Sequence, residues 1–285
     1  MPGPIFIIGN PRSGTTLLRL MLTCHPRICI PPECGFAVWL CPKYHPWNAE
    51  LVEVFAQDVL TCRKIETWTW DTGGLSGFLR AGRPETYGRA VSLVYEWHAH
   101  CQGRDGVRWG DKNNSYLDHI ATLRTLFPGC ALVHVVRDVR SVVCSYRRLS
   151  EARLTSLYAP TLPGDIAGAA LHWRTNIRTI TGAFERLRWQ GVHQLRFEDL
   201  LMSPQPTLER LCEALGERFD ASMLEYHRNR DADLEPPAFS EWKSKVRYPP
   251  MIGEARRYEL ELSDAERQQV EKVAAAELRQ CGYLT

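Results

Sequence analysis

The stretch Pro4–Cys24, PIFIIGNPRSGTTLLRLMLTC, constrains the rest of the chain most. Its first part, Pro4 to Gly9, is short, apolar and rich in isoleucine, a pattern that suits a strand buried on both faces. Asn10-Pro11-Arg12-Ser13-Gly14 then reads as a tight loop, and from Thr15 the leucines recur at helical spacing. A strand, loop and helix in this order turn the unpaired N–H groups and positive dipole end of the helix toward the loop, making an anion site. Ser13, Thr15 and Thr16 add hydroxyl donors and Arg12 a permanent charge, so the loop is suited to a phosphate or sulfate.

It is not the loop of nucleotide-hydrolysing proteins. Those need a lysine after the second glycine, with a following hydroxyl on magnesium. Thr15 follows Gly14 here, and no lysine precedes Lys43.

The remaining pattern alternates strands and helices, which predicts α/β architecture: a three-layer P-loop-like fold with a central parallel sheet flanked by helices. Arg27–Ile30, Val107–Gly110, Ala131–Val136 and Val192–Phe197 read as strands. Trp47–Cys62, Pro84–Cys101, Val139–Leu149, Asp165–Gln190, Pro206–Leu215 and Ser263–Gln280 read as helices. Ser115 is expected to cap a helix through Phe127, and Asp138 the helix from Val139. Ser150–Gly164 and the proline-bearing Asp231–Pro250 read as loops. With 285 residues, the expectation is one domain over 1–285, with a helical insertion at about 47–103. Trp68 and Trp70 in that insertion either line an acceptor pocket or fill a core.

Hydrophobic residues make up 44% and charged residues 24%, as in a globular protein, and a net charge of +2 gives no bulk attraction to nucleic acid. No apolar run reaches the roughly 20 residues of a membrane span, and no signal peptide is evident, so a cytoplasmic protein is expected. The ten cysteines contain no C-x-x-C pair, and Cys24, Cys29, Cys34 and Cys41 match no zinc spacing. Reduced, mostly buried thiols are the expectation, and no metal is called for.

In an open α/β sheet ligands sit at the carboxyl ends of the strands. Arg137 leaves the tip of Ala131–Val136, and Ser145 lies eight residues on, near the same helix face. Both are therefore placed to hold one anion.

PRSGTT after an apolar strand resembles the 5′-phosphosulfate loop of the sulfotransferases that use 3′-phosphoadenosine 5′-phosphosulfate (PAPS). HVVRDVRSVVCSY resembles their 3′-phosphate motif, in which the arginine and serine clasp the 3′-phosphate. The resemblance thus implies PAPS as cofactor, with product PAP, held by Pro11, Arg12, Ser13, Gly14, Thr15, Thr16, Arg137 and Ser145. Phe197 stands where the family places an aromatic residue close to the nucleotide. Ser240–Lys245 resembles the basic segment that closes over the cofactor phosphate, with Lys243 and Lys245 as alternatives. Moving a sulfuryl group to a hydroxyl requires a base, donors for the equatorial oxygens and a cation for the leaving phosphate. Arg12 and Lys112 supply the positive charge, with no metal required. Small-molecule members carry a histidine shortly after the lysine, absent from Lys112-Asn113-Asn114. Glycan and protein-tyrosine members use a glutamate after a His-Pro, and His25-Pro26 precedes Glu33, which is the expected base.

The expected acceptor is a hydroxyl of a sugar, tyrosine or small alcohol. Arg140, Arg147, Arg148 and Arg153 suggest either an acidic acceptor or a solvated basic face. Rival functions are a small-molecule kinase on a similar sheet and a nucleotide-binding module without catalysis. Oligomeric state has no signature in the sequence.

Overall fold

A computed structural model describes residues 2–189, 191–228 and 235–284. Five strands, β1 (Ile5–Ile8), β2 (Ile28–Cys29), β3 (Arg108–Lys112), β4 (Ala131–Val136) and β5 (Val192–Arg196), form one parallel sheet in the order β2-β3-β1-β4-β5. β1 is central: Ile5 faces Gly110 on one side and Ala131 on the other. Because successive side chains alternate, Ile5 and Ile7 enter a core with Leu18, Met21, Val133 and Leu211. Phe6 and Ile8 enter a different core, with Phe36, Tyr95, Trp109 and Tyr116. Helices therefore cover both faces of the sheet, as the continuous apolar strands require.

From β1 the chain winds toward β2 and β3, and after β4 toward β5. The carboxyl ends of β1 and β4 thus flank the crevice where ligands bind in such sheets. The PRSGTT loop leaves one of those ends and Arg137 the other.

Local departures from the sequence reading have physical causes. The expected helix Trp47–Cys62 opens with a single 3-10 turn, Ala49–Leu51, capped by Asn48, and becomes α-helical at Val52–Thr61. The helix expected from Pro84 begins at Tyr87, because Thr86 caps it by accepting from the Arg89 N–H, and a further helix, Leu75–Gly82, precedes it. β3 runs on through Asp111 and Lys112, because Asp111 Oδ2 accepts from Tyr95 and Lys112 Nζ donates to Glu33 within the fold. Asn113, not Ser115, caps the element after β3, a 3-10 turn Asn114–His119 leading into the helix Ile120–Leu126. The long helix spans Ile166–Leu187, and Gln190, its expected end, lies outside the described residues. The segment read as loop to Pro250 contains the short helix Ser240–Lys243 with 3-10 turns on both sides; its residues 231–234 lie outside the described residues. Among the described residues, no helix is long and apolar enough to cross a membrane.

Candidate active site

The first helix, Thr15–Thr23, starts directly after a loop with two left-handed residues, Arg12 at φ 69° and Gly14 at φ 92°. For a non-glycine residue this costs on the order of 1–2 kcal/mol, so the surroundings of Arg12 must hold it. Arg137 Nη1 donates to the Arg12 carbonyl at 3.1 Å, and Arg12 Nε donates to Ser145 Oγ at 3.1 Å. Behind them, Asn10 Nδ2 donates to the Pro11 carbonyl at 2.7 Å, while Asn176 Nδ2 donates to Asn10 Oδ1 at 2.8 Å. At Gly14 the ring of Phe197 lies so close that a Cβ would sit 2.1 Å from its Cδ2. Phe197 in turn carries the Arg137 guanidinium 4.6 Å from its ring centre.

A cavity of about 600 Å³ opens over this loop, lined by Pro11, Arg12, Gly14, Thr15, Thr16, Glu33, Lys112, Arg137, Ser145, Phe197, Lys243 and Lys245. Ser13 is the exception among the expected residues. It is fully buried, its N–H donates to the Asn10 carbonyl, and its hydroxyl does not line the cavity. Thr15 Oγ1 donates to Asn114 Oδ1 at 3.1 Å, adding Asn114 to the lining.

The two C-terminal lysines separate to opposite ends. Lys245 contacts Glu254 at 2.8 Å, near Arg137, whose Nη2 donates to the Glu254 carbonyl at 3.2 Å. Lys243 instead lies 3.6 Å from Glu33. So only Lys245 stands at the end where a closing phosphate contact was expected, and Lys243 stands beside the expected base.

Glu33 is the centre of the second end. Its carboxylate takes Lys112 Nζ at 2.6 Å and Lys64 Nζ at 3.0 Å. Burial raises the Glu33 pKa, but Lys112, Lys243 and Lys64 more than offset this and hold it well below the usual carboxylate range. Lys112, nearly fully buried at the end of β3, is pushed down to about 8 by that burial, with Glu33 opposing the shift. Burial also lowers Arg12, to about 10, and the neighbouring Arg137 and Arg148 add to it. The backbone before Glu33 is pinned by Trp68, whose Nε1 donates to the Pro32 carbonyl at 2.8 Å.

Trp68 is therefore core, with the half-buried Trp70 packed on it at 5.2 Å, and neither lines the cavity. Of the four arginines, Arg140 pairs with Asp138 at 2.6 Å, Arg147 pairs with Glu266 at 3.0 Å, and Arg153 is exposed. Only Arg148 lines the cavity, on the Glu254 side, so these arginines form no acceptor wall. The cavity does take Arg63 and Lys64 from the insertion and Leu157–Thr161 from the following loop. His25 is buried on the Arg218 carbonyl and does not line the cavity, nor does Asp111, which accepts from Tyr95 on the other face of β3. Residues that the sequence did not mark are Lys64, Asn114, Glu235 and Glu254, and Arg148 was marked only among the four arginines of an acceptor wall. Lys64 and Glu254 reach the cavity, and Glu235 its edge behind Lys243, from segments without local motif.

Burial leaves His134 neutral near neutral pH, lowering it to about 4, as a core histidine. The cysteines are free thiols, and among the described residues no His, Cys, Asp and Glu group has the geometry to hold a metal.

Comparison with known proteins gives the same assignment. The profile of the sulfotransferase family matches residues 4–221. A protein described as a putative protein-tyrosine sulfotransferase of Caenorhabditis briggsae is 24% identical over 240 residues, 83% of this chain and 74% of that protein. The omega-hydroxy-beta-dihydromenaquinone-9 sulfotransferase Stf3 of Mycobacterium tuberculosis is 28% identical over 247 residues, 75% of this chain and 62% of that one. The solved sulfotransferase domain from the curacin biosynthetic pathway shares the fold, with a TM-score of 0.62 at 22% identity, covering 95% of this chain and 97% of that domain. The match leaves the kinase and non-catalytic readings unsupported. The chain belongs to the sulfotransferase family, enzymes that move a sulfuryl group from PAPS to an acceptor hydroxyl.

Proposed function

We propose that the cavity holds PAPS along its length, with the 3′-phosphate at Arg137, Ser145 and Lys245 and the phosphosulfate on the loop Pro11–Thr16. The observation that carries this reading is the 2.6 Å contact of Lys112 with Glu33 within the same cavity as the loop and Arg137. Base, leaving-group cation and two anion sites then belong to one ligand. In the transfer, Glu33 takes the proton of the acceptor hydroxyl as its oxygen bonds to sulfur. The bond from sulfur to the bridging oxygen breaks, and Lys112 neutralises the charge left on the phosphate. Arg12 and the first N–H groups of the helix steady the sulfuryl oxygens.

Glu33 is a weak base while three ammonium groups surround it. When Lys112 turns to the bridging oxygen of the donor, the carboxylate loses its shortest contact and its proton affinity rises. The base is thereby readied by the donor. Positive side chains supply the charge stabilisation, so turnover is expected to persist in EDTA. Loss of turnover on chelation, restored by Mg²⁺, would contradict this.

The acceptor is a hydroxyl of a sugar, tyrosine or small alcohol, entering beside Lys64 and Leu157–Thr161. The free thiols support a reducing compartment, and hence the cytoplasm, as the place of action. A screen of such acceptors with labelled PAPS tests the function; transfer of label to none of the three classes would sink it.

A further inference from the structure

Glu235 lies outside the cavity lining, behind Lys243, with its side chain only 7% exposed. Two cations hold it. Arg19 Nη2, fully buried on the first helix, donates to Glu235 Oε2 at 2.7 Å. Lys243 Nζ contacts Glu235 Oε1 at 2.5 Å, against 3.6 Å to Glu33 Oε2. Lys243 also sits 4.5 Å over the ring of Phe239.

A buried ammonium needs a carboxylate. Among the described residues, Glu33 is the other one within ion-pair distance of Lys243. Glu33 already carries Lys112 and Lys64. A third direct contact would leave its oxygens with little room to accept a proton from a hydroxyl. Glu235 prevents this by competing for Lys243 from the opposite side, and Arg19 fixes where it does so.

We propose that Glu235 is a positioning residue of the transfer centre, which draws the Lys243 ammonium off Glu33. This rests on the reading of Glu33 as base and of the cavity as the PAPS site. Removing the Glu235 charge should let Lys243 close on Glu33, so the chemical step slows while the nucleotide, held by the loop and Arg137, stays bound.

The test is a double-mutant cycle with PAPS as substrate, following PAP formation in single turnover with water as acceptor. PAP affinity is measured in parallel by calorimetry, and its value in the wild type tests the donor reading separately. Glu235→Gln is expected to slow PAPS conversion about tenfold or more, the weight of a charge-assisted contact, with PAP affinity within about threefold. In a Lys243→Met background the same change should alter the rate by less than about twofold, since no ammonium remains to collapse. Glu235→Asp, which keeps the charge, should recover part of the rate. It also carries the cycle if thermal melting shows that the Gln variant does not fold. An equal loss in both backgrounds, or a loss confined to PAP affinity, would overturn the proposal, because Glu235 would then only tie its segment to Arg19.

Discussion

Glu33 keeps its negative charge at neutral pH because three lysines outweigh the cost of burying it. Glu33→Gln keeps its size and loses its proton affinity. Turnover should fall roughly 10²–10⁴-fold, the usual worth of a positioned base, with PAP affinity nearly unchanged. A Gln variant with normal turnover would show that another group takes the proton. Lys112 sets the opposite limb. In the proposed mechanism it must be protonated to meet the leaving phosphate, and in the free enzyme burial lowers its pKa to about 8. kcat/KM for PAPS should therefore decline above about pH 8. Lys112→Arg, whose charge persists, should keep any residual activity flat there; a decline at the same pH in that variant would remove Lys112 as its cause. The linkage sign is fixed by the same shift. The folded value lies below the roughly 10.4 of an unfolded lysine, so the native state holds fewer protons between these limits. Stability contributed by this group rises with pH across that window.

The strand–loop–helix element was legible because its constraints are local. Apolar run, left-handed glycine and helical leucines lie within a few residues of one another, and β4 with its Asp138 cap is legible for the same reason. Gly14 shows how strongly the element is specified. Its φ of 92° and the Phe197 ring both exclude a side chain. Gly14→Ala should weaken PAP binding at least about tenfold and lower the melting temperature, since either effect alone costs about 1 kcal/mol or more. Unchanged PAP affinity in calorimetry would mean that the loop does not contact the donor. Less local features were hidden. Lys64 meets Glu33 only because the insertion folds back with a left-handed backbone at residue 64, φ 77°. Lys243 and Glu235 lie in a proline-bearing segment whose turns have no periodicity, so nothing near them announces the buried ion pairs. β3 looked finished at Gly110 because Asp111 and Lys112 are charged, and only their distant partners explain their burial.

At the scale of the whole molecule, the sheet order gathers residues far apart in the sequence. Winding outward on both sides of the β1–β4 pair brings residues 12 and 145 into contact and places residue 33 beside residue 112. The fold class followed from alternating elements, whereas the partition of the cavity did not. Which lysine serves which end depends on the path of the C-terminal segment across the crevice. Central to the donor reading is that the Arg137 end of that crevice is built for a 3′-phosphate. Calorimetric titration with PAP and with AMP tests it most directly. A charge-assisted contact is worth about 1.5–3 kcal/mol, so PAP should bind at least about tenfold more tightly than AMP, and Arg137→Ala should erase the difference. Equal affinity for the two nucleotides in the wild-type protein would contradict it.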